Sequence, residues 1–201
     1  MKVMLGTRNN GKIVEMRRLL EPLGLELENQ TDTDIPSPVE DGATFVENAL
    51  IKARAVSLAS ALPAIADDSG LVVPALNGRP GIYSSRFAHA DATDTENNNE
   101  LLSQLADQAS RSAYFFCCMV MLLRHPIDPT PIIAYGQWWG EILSAPQGEG
   151  GFGYDPLFFV ASHDRSAAQL PADIKNQLSH RGQASQHSLR SCRLFFKQCL
   201  T

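Results

Sequence analysis

Two adjacent carboxylates, Asp67 and Asp68, stand where the apolar run Pro63-Ala64-Ile65-Ala66 gives way to Ser69-Gly70-Leu71. On an extended strand successive side chains point to opposite faces, so one acid of such a pair faces each side. The serine and glycine that follow suit a sharp turn or a bulge, where backbone can approach a ligand closely. Paired acids at a strand end can hold Mg²⁺, a hard cation that prefers oxygen ligands, or activate a water. The same residues also read as a solvated turn, and taken alone they leave both readings open.

Three further clusters carry chemistry. Gly6-Thr7-Arg8-Asn9-Asn10-Gly11-Lys12-Ile13 is one residue short of the phosphate loop Gly-x-x-x-x-Gly-Lys-[Ser/Thr], because Ile13 stands where that loop needs a hydroxyl. A strand running into a helix amino terminus still offers free N–H groups and a favourable dipole to phosphate, with Thr7 and Asn9 as neutral donors and Lys12 as a charge. The competing reading is a helix start capped by Asn9 or Asn10. Gly151-Phe152-Gly153-Tyr154-Asp155-Pro156 sets a ring between two glycines with an acid beyond. Such a ring can stack on a heterocycle, worth roughly 1–3 kcal/mol per base, or complete the core from a glycine-rich turn. Lys175 and Ser179-His180-Arg181-Gly182 form a small basic cluster ahead of a helix. Arg181 there is an anion clamp, a donor to a carbonyl, or a surface charge.

The elements that must position these clusters follow from hydrophobic spacing. Lys2 to Leu5 reads as a strand, and Ile13, Met16, Leu19, Leu20 and Leu23 recur at helical spacing before Pro22 and Gly24 close the segment. Residues 31–43 read as a loop. A helix is expected from Thr44 to Ala61, facing inward with Phe45, Ala49, Ile51 or Lys52, Ala55 and Leu58 or Ala59. A strand at 63–66 leads into the acidic turn, 71–73 continues extended, and 77–81 is a loop. Asp94 to Ala109 reads as a helix with Leu101, Leu102 and Leu105 inward. Residues 113–123 and 132–138 read as a hairpin joined by a turn at Pro126 to Pro131. After the loop at 148–153 come a strand at 156–160, a short helix near Pro171, and a last helix following Gly182 with Leu189, Cys192, Phe196 and Cys199 on one face. Strands and helices alternate irregularly, which argues for an α/β fold with a mixed sheet flanked by helices.

Composition bounds the rest. A chain of 201 residues and 22.0 kDa, 44% hydrophobic and 19% charged, suits one soluble globular domain, since domains hold about 100–200 residues. A net charge of −5 argues against a broad nucleic-acid surface. The amino-terminal apolar run is too short for a signal peptide and no stretch approaches the ~18 apolar residues of a spanning helix, so no membrane contact and a cytoplasmic location are expected. Cys117 and Cys118, adjacent in an apolar run, and Cys192 and Cys199, seven apart, lack zinc-site spacing and read as buried reduced thiols.

Taken together and in order, Thr7-x-Asn9-x-x-Lys12-x-x-Glu15, Asp67-Asp68-Ser69-Gly70-Leu71, Gly81-Ile82-Tyr83-Ser84-Ser85-Arg86, Gly151-Phe152-Gly153-Tyr154-Asp155-Pro156-Leu157-Phe158 and Ser179-His180-Arg181-Gly182 resemble the inosine triphosphate pyrophosphatase family. These are house-cleaning hydrolases of non-standard purine nucleotides, and the likeness, which covers nearly the whole chain, is to the bacterial enzymes acting on dITP, ITP and XTP. Arg8 departs from the small residue common there. The resemblance implies a single domain over 1–201 with an elongated mixed sheet, two lobes and a cleft between them. It implies hydrolysis of a purine nucleoside triphosphate to monophosphate and pyrophosphate by water attack on the α-phosphorus. Asp68 is then the catalytic acceptor of the water's proton, and Glu40, Asp68 and Asp67 are the Mg²⁺ ligands. The implied substrate-binding set is Thr7, Arg8, Asn9, Asn10, Gly11, Lys12, Ser69, Phe152, Gly153, Tyr154, Asp155, Lys175, His180 and Arg181. A homodimer is also implied, with the exposed-looking Trp138-Trp139 pair and the acidic turn as contact surfaces to consider.

Hydrogen-bond polarity sharpens the base end. Hypoxanthine and xanthine present a C6 carbonyl, whereas adenine presents an amino donor. A donor such as Arg181, with backbone N–H groups near His180, therefore pairs with the former and meets the latter donor to donor. An unpaired buried polar group costs about 1–3 kcal/mol, enough to reject ATP. Guanine shares the carbonyl, so its rejection must arise near C2, where Asp155 and the Phe152 loop are candidates. Two other functions remain in view: cleavage of pyrimidine or methylated nucleotides, which His180-Arg181 and the Phe152 loop disfavour, and a nucleotide sensor, which would have no need of Lys12, Glu40, Asp67, Asp68 and Lys175.

Overall fold

The computed structural model describes residues 1–123 and 128–199, apart from the side chains of Leu23, Arg190 and 192–199. Its chain order is β1 (Lys2–Leu5), α1 (Asn10–Leu20), β2 (Glu26–Asn29), α2 (Phe45–Ser60), β3 (Ala64–Val72), α3 (Asp94–Gln104), β4 (Ser112–Leu122), β5 (Ile132–Ile142), β6 (Phe158–Val160), β7 (Arg165–Ser166), α4 (Ala172–Leu178) and α5 (His180–Cys199). The strands are hydrogen-bonded in the order β2-β1-β3-β4-β5-β6-β7. β1 runs parallel to β2 and β3, while β5–β6 and β6–β7 are antiparallel, so the sheet is mixed as the irregular alternation of elements implied.

Two compact units divide the chain. The first comprises Met1–Asp68, Cys117–Gly136 and the segment from Arg181 onward. Its β1 is buried on both faces: Val3 and Leu5 pack with Met16 and Leu20 of α1, while Met4 packs with Val56 of α2 and Ala64. That is the burial expected of a parallel strand covered on two sides. Asn9 caps α1 by accepting from the Lys12 N–H at 3.1 Å, and Thr44 caps α2 by accepting from Glu47 at 3.3 Å.

The second unit comprises Ser69–Phe116 and Gln137–His180. Its core gathers Leu101 of α3 and Leu105 at its C-cap with the rings of Phe115, Trp138 and Phe158, the last lying 4.6 Å from Phe115 and 5.0 Å from Trp138 between centroids. α3 opens with a full capping box, Thr93 and Glu96 each bonding the other's backbone N–H.

Several elements differ from the sequence expectation. The acids do not end a strand: β3 is continuous from Ala64 to Val72, with Asp67 and Asp68 mid-strand. Gly70 serves close approach of backbone, not a turn, because a Cβ there would collide with the Gly81 carbonyl and the Ser84 hydroxyl that accepts from Leu71. The α2 face is rotated from the expected one. Asn48, Ala49, Lys52, Ala53, Val56 and Ser57 are buried and Leu58 is 70% exposed, because the polar Asn48 and Lys52 side chains find a buried carboxylate. Strands β2 and β7 were not foreseen, being only four and two residues long. β5 runs on to Ile142, α3 stops at Gln104, a one-turn helix at Asp155–Leu157 precedes β6, and α5 starts at His180. Trp138 and Trp139 are not a matched exposed pair: alternation along β5 leaves Trp138 6% and Trp139 55% exposed. Of the turn expected at Pro126 to Pro131, residues 126 and 127 lie outside the described residues, and the inward positions Cys192, Phe196 and Cys199 lie outside the described side chains. Cys117 and Cys118 are buried free thiols, as expected.

Candidate functional site

The first unit assembles its polar groups on β3 and the helices beside it. Alternation turns Asp67 and Asp68 apart, and each acid collects its own cations. Asp67 is fully buried and meets Lys12 Nζ at 3.2 Å and Arg181 at 3.0 Å (Nη2) and 3.3 Å (Nε). Burial pushes its carboxyl up, but the charges of Lys12, Arg181 and Lys52 outweigh this and hold it far below the usual carboxylate range. Arg181, only 1% exposed, also donates Nη1 to Glu15 at 2.5 Å. Burial would lower its pKa, and the carboxylates of Asp67 and Glu15 raise it instead.

Asp68 faces α2. Lys52 Nζ lies 2.7 Å from Asp68 Oδ1 and 2.9 Å from Glu40 Oε2, and Asn48 Nδ2 lies 3.4 Å from Asp68 Oδ2. Burial pushes the Asp68 carboxyl above its ordinary value against the pull of Lys52 and Lys12. Burial likewise works to lower Lys52, but Asp68, Asp67 and Glu40 keep it raised and charged. Glu40, in the loop before α2, and Asp68 are thus brought together through an ammonium.

At the end of β1, Thr7 is buried and accepts from the Asn9 N–H at 3.2 Å. Asn9 is the helix cap, Asn10 and Gly11 begin the first turn of α1, and Arg8 turns away to donate to the Ile35 carbonyl at 2.8 Å. Of the residues expected from sequence, Asp67, Asp68, Glu40, Lys12 and Arg181 therefore form one charged network. Lys52 and Asn48 were missed. Their signal was present as polar residues at i and i+4 on the buried face of α2.

Whether this network suits a cation can be tested on its own atoms. Among the described residues no three of His, Cys, Asp and Glu are clustered as a ready metal cage. The donor set is nevertheless of the right kind: carboxylate oxygens of Glu40 and Asp68 already share one cationic group, and the buried Asp67 Oδ1 has no hydrogen-bond partner. Oxygen donors and an unspent buried acceptor fit a hard divalent ion.

The second unit organises the loop 151–155. Phe152 N–H donates to Asp155 Oδ2 at 2.9 Å, and Lys175 Nζ donates to the same oxygen at 2.6 Å. Lys175 Nζ also lies 5.1 Å from the Phe152 ring centroid, a cation–π approach. Gly151 has φ +73°, and a side chain there would strike the Asp155 carboxylate, so the turn requires glycine. Tyr154 is buried and donates its hydroxyl to the Ser84 carbonyl at 2.8 Å. His180 is buried and stacks on Phe115, ring centroids 4.8 Å apart. Phe152, Asp155 and Lys175 are thus one contact group. Ser69 follows Asp68 along β3, half-buried. Sequence reasoning did not single out Asp94 and Asn98 of α3, which bond Gly153 N–H and C=O at 2.6 and 3.0 Å.

The sequence pattern of the Ham1 family matches residues 3–190. The chain is 52% identical over 188 residues to a dITP/XTP pyrophosphatase of Aromatoleum aromaticum, covering 94% of each protein. It is 50% identical over 185 residues to the dITP/XTP pyrophosphatase of Escherichia coli K12, covering 91% of this chain and 93% of that one. Among solved structures, a HAM1 protein from Coxiella burnetii superposes with a TM-score of 0.86 at 45% identity, over 95% of this chain and 98% of its own. The Ham1 protein of Staphylococcus aureus gives 0.80 at 35% identity, over 98% and 99%.

Proposed function

The chain belongs to the Ham1 family, and from that premise we propose that it hydrolyses non-standard purine nucleoside triphosphates, dITP, ITP and XTP, to the monophosphate and pyrophosphate. The observation that carries this reading is the buried pair of adjacent acids, Asp67 and Asp68, each ringed by its own cations. A binding module would have no need to bury two ionised carboxylates side by side, since each costs desolvation that only specific partners offset.

In the reaction, a water oxygen bonds to the α-phosphorus, the bond from that phosphorus to the α–β bridging oxygen breaks, and pyrophosphate leaves with the electron pair. Asp68 accepts the water's proton, and its raised carboxyl is a stronger base than an ordinary exposed acid. Lys52 orients Asp68 and, with Asn48, keeps its two oxygens apart in role. Glu40 and Asp68, which already share the Lys52 ammonium, would hold Mg²⁺, with Asp67 as a further ligand only where its Oδ1 reaches around β3; the ion when bound supplies positive charge against the phosphates and acidifies water. We assign Thr7, Asn9, Asn10, Gly11, Lys12, Lys175 and Ser69 to the triphosphate; Arg8, whose guanidinium donates to the Ile35 carbonyl, would have to give up that bond to join them. Such chemistry rests on positioning and neutralisation more than on covalent help.

Phe152, Gly153, Tyr154, Asp155, His180 and Arg181 take the base end. Phe152 supplies a stacking face that Lys175 and Asp155 brace, and Asp155 is a candidate for excluding the C2 amino group of guanine. Arg181 is assigned to the C6 carbonyl by polarity. Because its guanidinium also serves Asp67 and Glu15, that assignment makes a sharp kinetic demand.

We further infer that the two units form one catalytic domain over residues 1–201, and that the enzyme is a cytoplasmic homodimer. Among the described residues no helix is long and apolar enough to cross a membrane. Pyrophosphate release across ITP, XTP, dITP, GTP, ATP and dTTP, with and without Mg²⁺, tests the function. Turnover of the three non-standard purines only with Mg²⁺ is expected, while equal rates with dTTP or no turnover at all would overturn it.

A further inference from the structure

One loop of the second unit is held by more than its own residues. Gly153 lies next to Phe152, and both polar groups of its residue are bonded to α3. Its N–H donates to Asp94 Oδ2 at 2.6 Å, and its C=O accepts from Asn98 Nδ2 at 3.0 Å. Asp94 and Asn98 are four residues apart and share one face at the amino-terminal end of α3. That end is itself fixed by the Thr93–Glu96 capping box. Next along the helix, Asn97 donates to the Ser85 carbonyl at 3.1 Å and accepts from the Ala88 N–H at 3.0 Å, tying α3 to a second stretch of the same unit.

The polarity of the pair is specific. Asp94 can only accept when ionised, and Asn98 uses its amide nitrogen. Asn98 is buried, and turning that nitrogen to Gly153 leaves its own Oδ1 without a hydrogen-bond partner. Asn98 therefore forgoes a bond on its oxygen while donating to Gly153. On the other side of the loop, the Phe152 N–H is taken by Asp155, so the backbone on both sides of the Phe152 ring is fastened.

We propose that Asp94 and Asn98 are positioning residues that clamp Gly153 and thereby set the Phe152 ring for the purine. This rests on the base-end assignment of Phe152 made above. Asp94 and Asn98 bond none of the residues assigned to the triphosphate; Lys175, which is one of them, is held by Asp155 and not by either clamp residue, so the clamp acts first on how the base is held.

The test is steady-state kinetics with ITP on the full chain, with inorganic pyrophosphate as a competing probe of the phosphate end. Asp94→Ala and Asn98→Ala should each raise KM for ITP about tenfold while kcat stays within about twofold and the pyrophosphate inhibition constant does not move. Asp94→Asn keeps an acceptor and should restore most of KM. Asn98→Asp removes the donor and should not. Should an alanine variant fail to fold, the contrast between Asp94→Asn and Asn98→Asp decides alone, because both keep side-chain volume. Equal losses in KM and in pyrophosphate inhibition, or Asn98→Asp behaving as wild type, would overturn the clamp while leaving the proposed function standing. Wild type that does not hydrolyse ITP would overturn that function and the clamp with it.

Discussion

The ammonium of Lys52 lies 2.7 Å from the Asp68 carboxylate, with both side chains about nine-tenths closed to solvent. An ion pair taken this far out of water stands only while both partners remain, and removing one typically costs about 3–5 kcal/mol. The pair therefore joins the acidic site to the stability of α2.

Asp68→Asn should abolish nearly all turnover while leaving the fold intact. Glu40 still satisfies Lys52, but the neutral amide neither takes a proton nor binds a hard cation well. Pyrophosphate release together with circular dichroism checks this. Retention of a tenth of wild-type kcat would make the acids structural.

Arg181→Ala should slow ITP hydrolysis strongly and change the poor ATP rate little. The ITP-to-ATP ratio of kcat/KM would then shrink about tenfold or more, the factor supplied by 1.4 kcal/mol. If the residue acts only by holding Asp67 and Glu15, both substrates lose alike and the ratio stands. The variant should also unfold earlier on heating, since the buried Asp67 carboxylate then loses the counter-charge that bonds it directly through two nitrogens.

Thiol chemistry offers an independent reading of burial. Burial, with the charges of Asp68 and Asp67, pushes the Cys118 thiol up to about 11, and burial and Asp67 push Cys117 up as well. At pH 8 neither should alkylate in the native state, and both should in denaturant, as peptide mapping by mass spectrometry will show. Rapid native labelling of Cys117 would contradict its packing beside Asp67, 3.8 Å away.

The capping box of α3 makes a pH prediction. Hydrogen bonds from the Thr93 backbone and hydroxyl, together with His89, hold the Glu96 carboxyl below its ordinary value. A depressed carboxyl contributes stability above its unfolded pKa, about 4.3, and that contribution is lost as pH falls through the lower folded value. Thermal unfolding of Glu96→Ala should thus trail wild type at pH 7 and draw closer to it at pH 3. A gap of the same size at both values would remove the ionised cap from the account.

Local chemistry along the chain was enough to mark most of the candidate residues. The capping asparagine before Lys12, the adjacent acids, the glycine-flanked Phe152 and the basic run at His180-Arg181 all depend on near neighbours, so their types and spacing could be read directly. The strand at Lys2–Leu5 and the helices near 10–20, 45–60 and 94–104 were legible for the same reason, because hydrophobic periodicity is local. Partnership was not. Lys52 was legible only as one inward-facing alternative because, in a helix rich in alanine and leucine, nothing nearby in sequence shows that a carboxylate sixteen residues on will face it. Glu15 with Arg181, and Asn98 with Gly153, are separated by 166 and 55 residues, and only folding brings donor to acceptor. The short strands β2 and β7 escaped notice because pairing with β1 and β6, not alternation within four or two residues, makes them strands. Periodicity records how a segment meets its own neighbours; the identity of the group across a buried interface is decided by the tertiary fold, where desolvation penalises every charge left without a counter-charge.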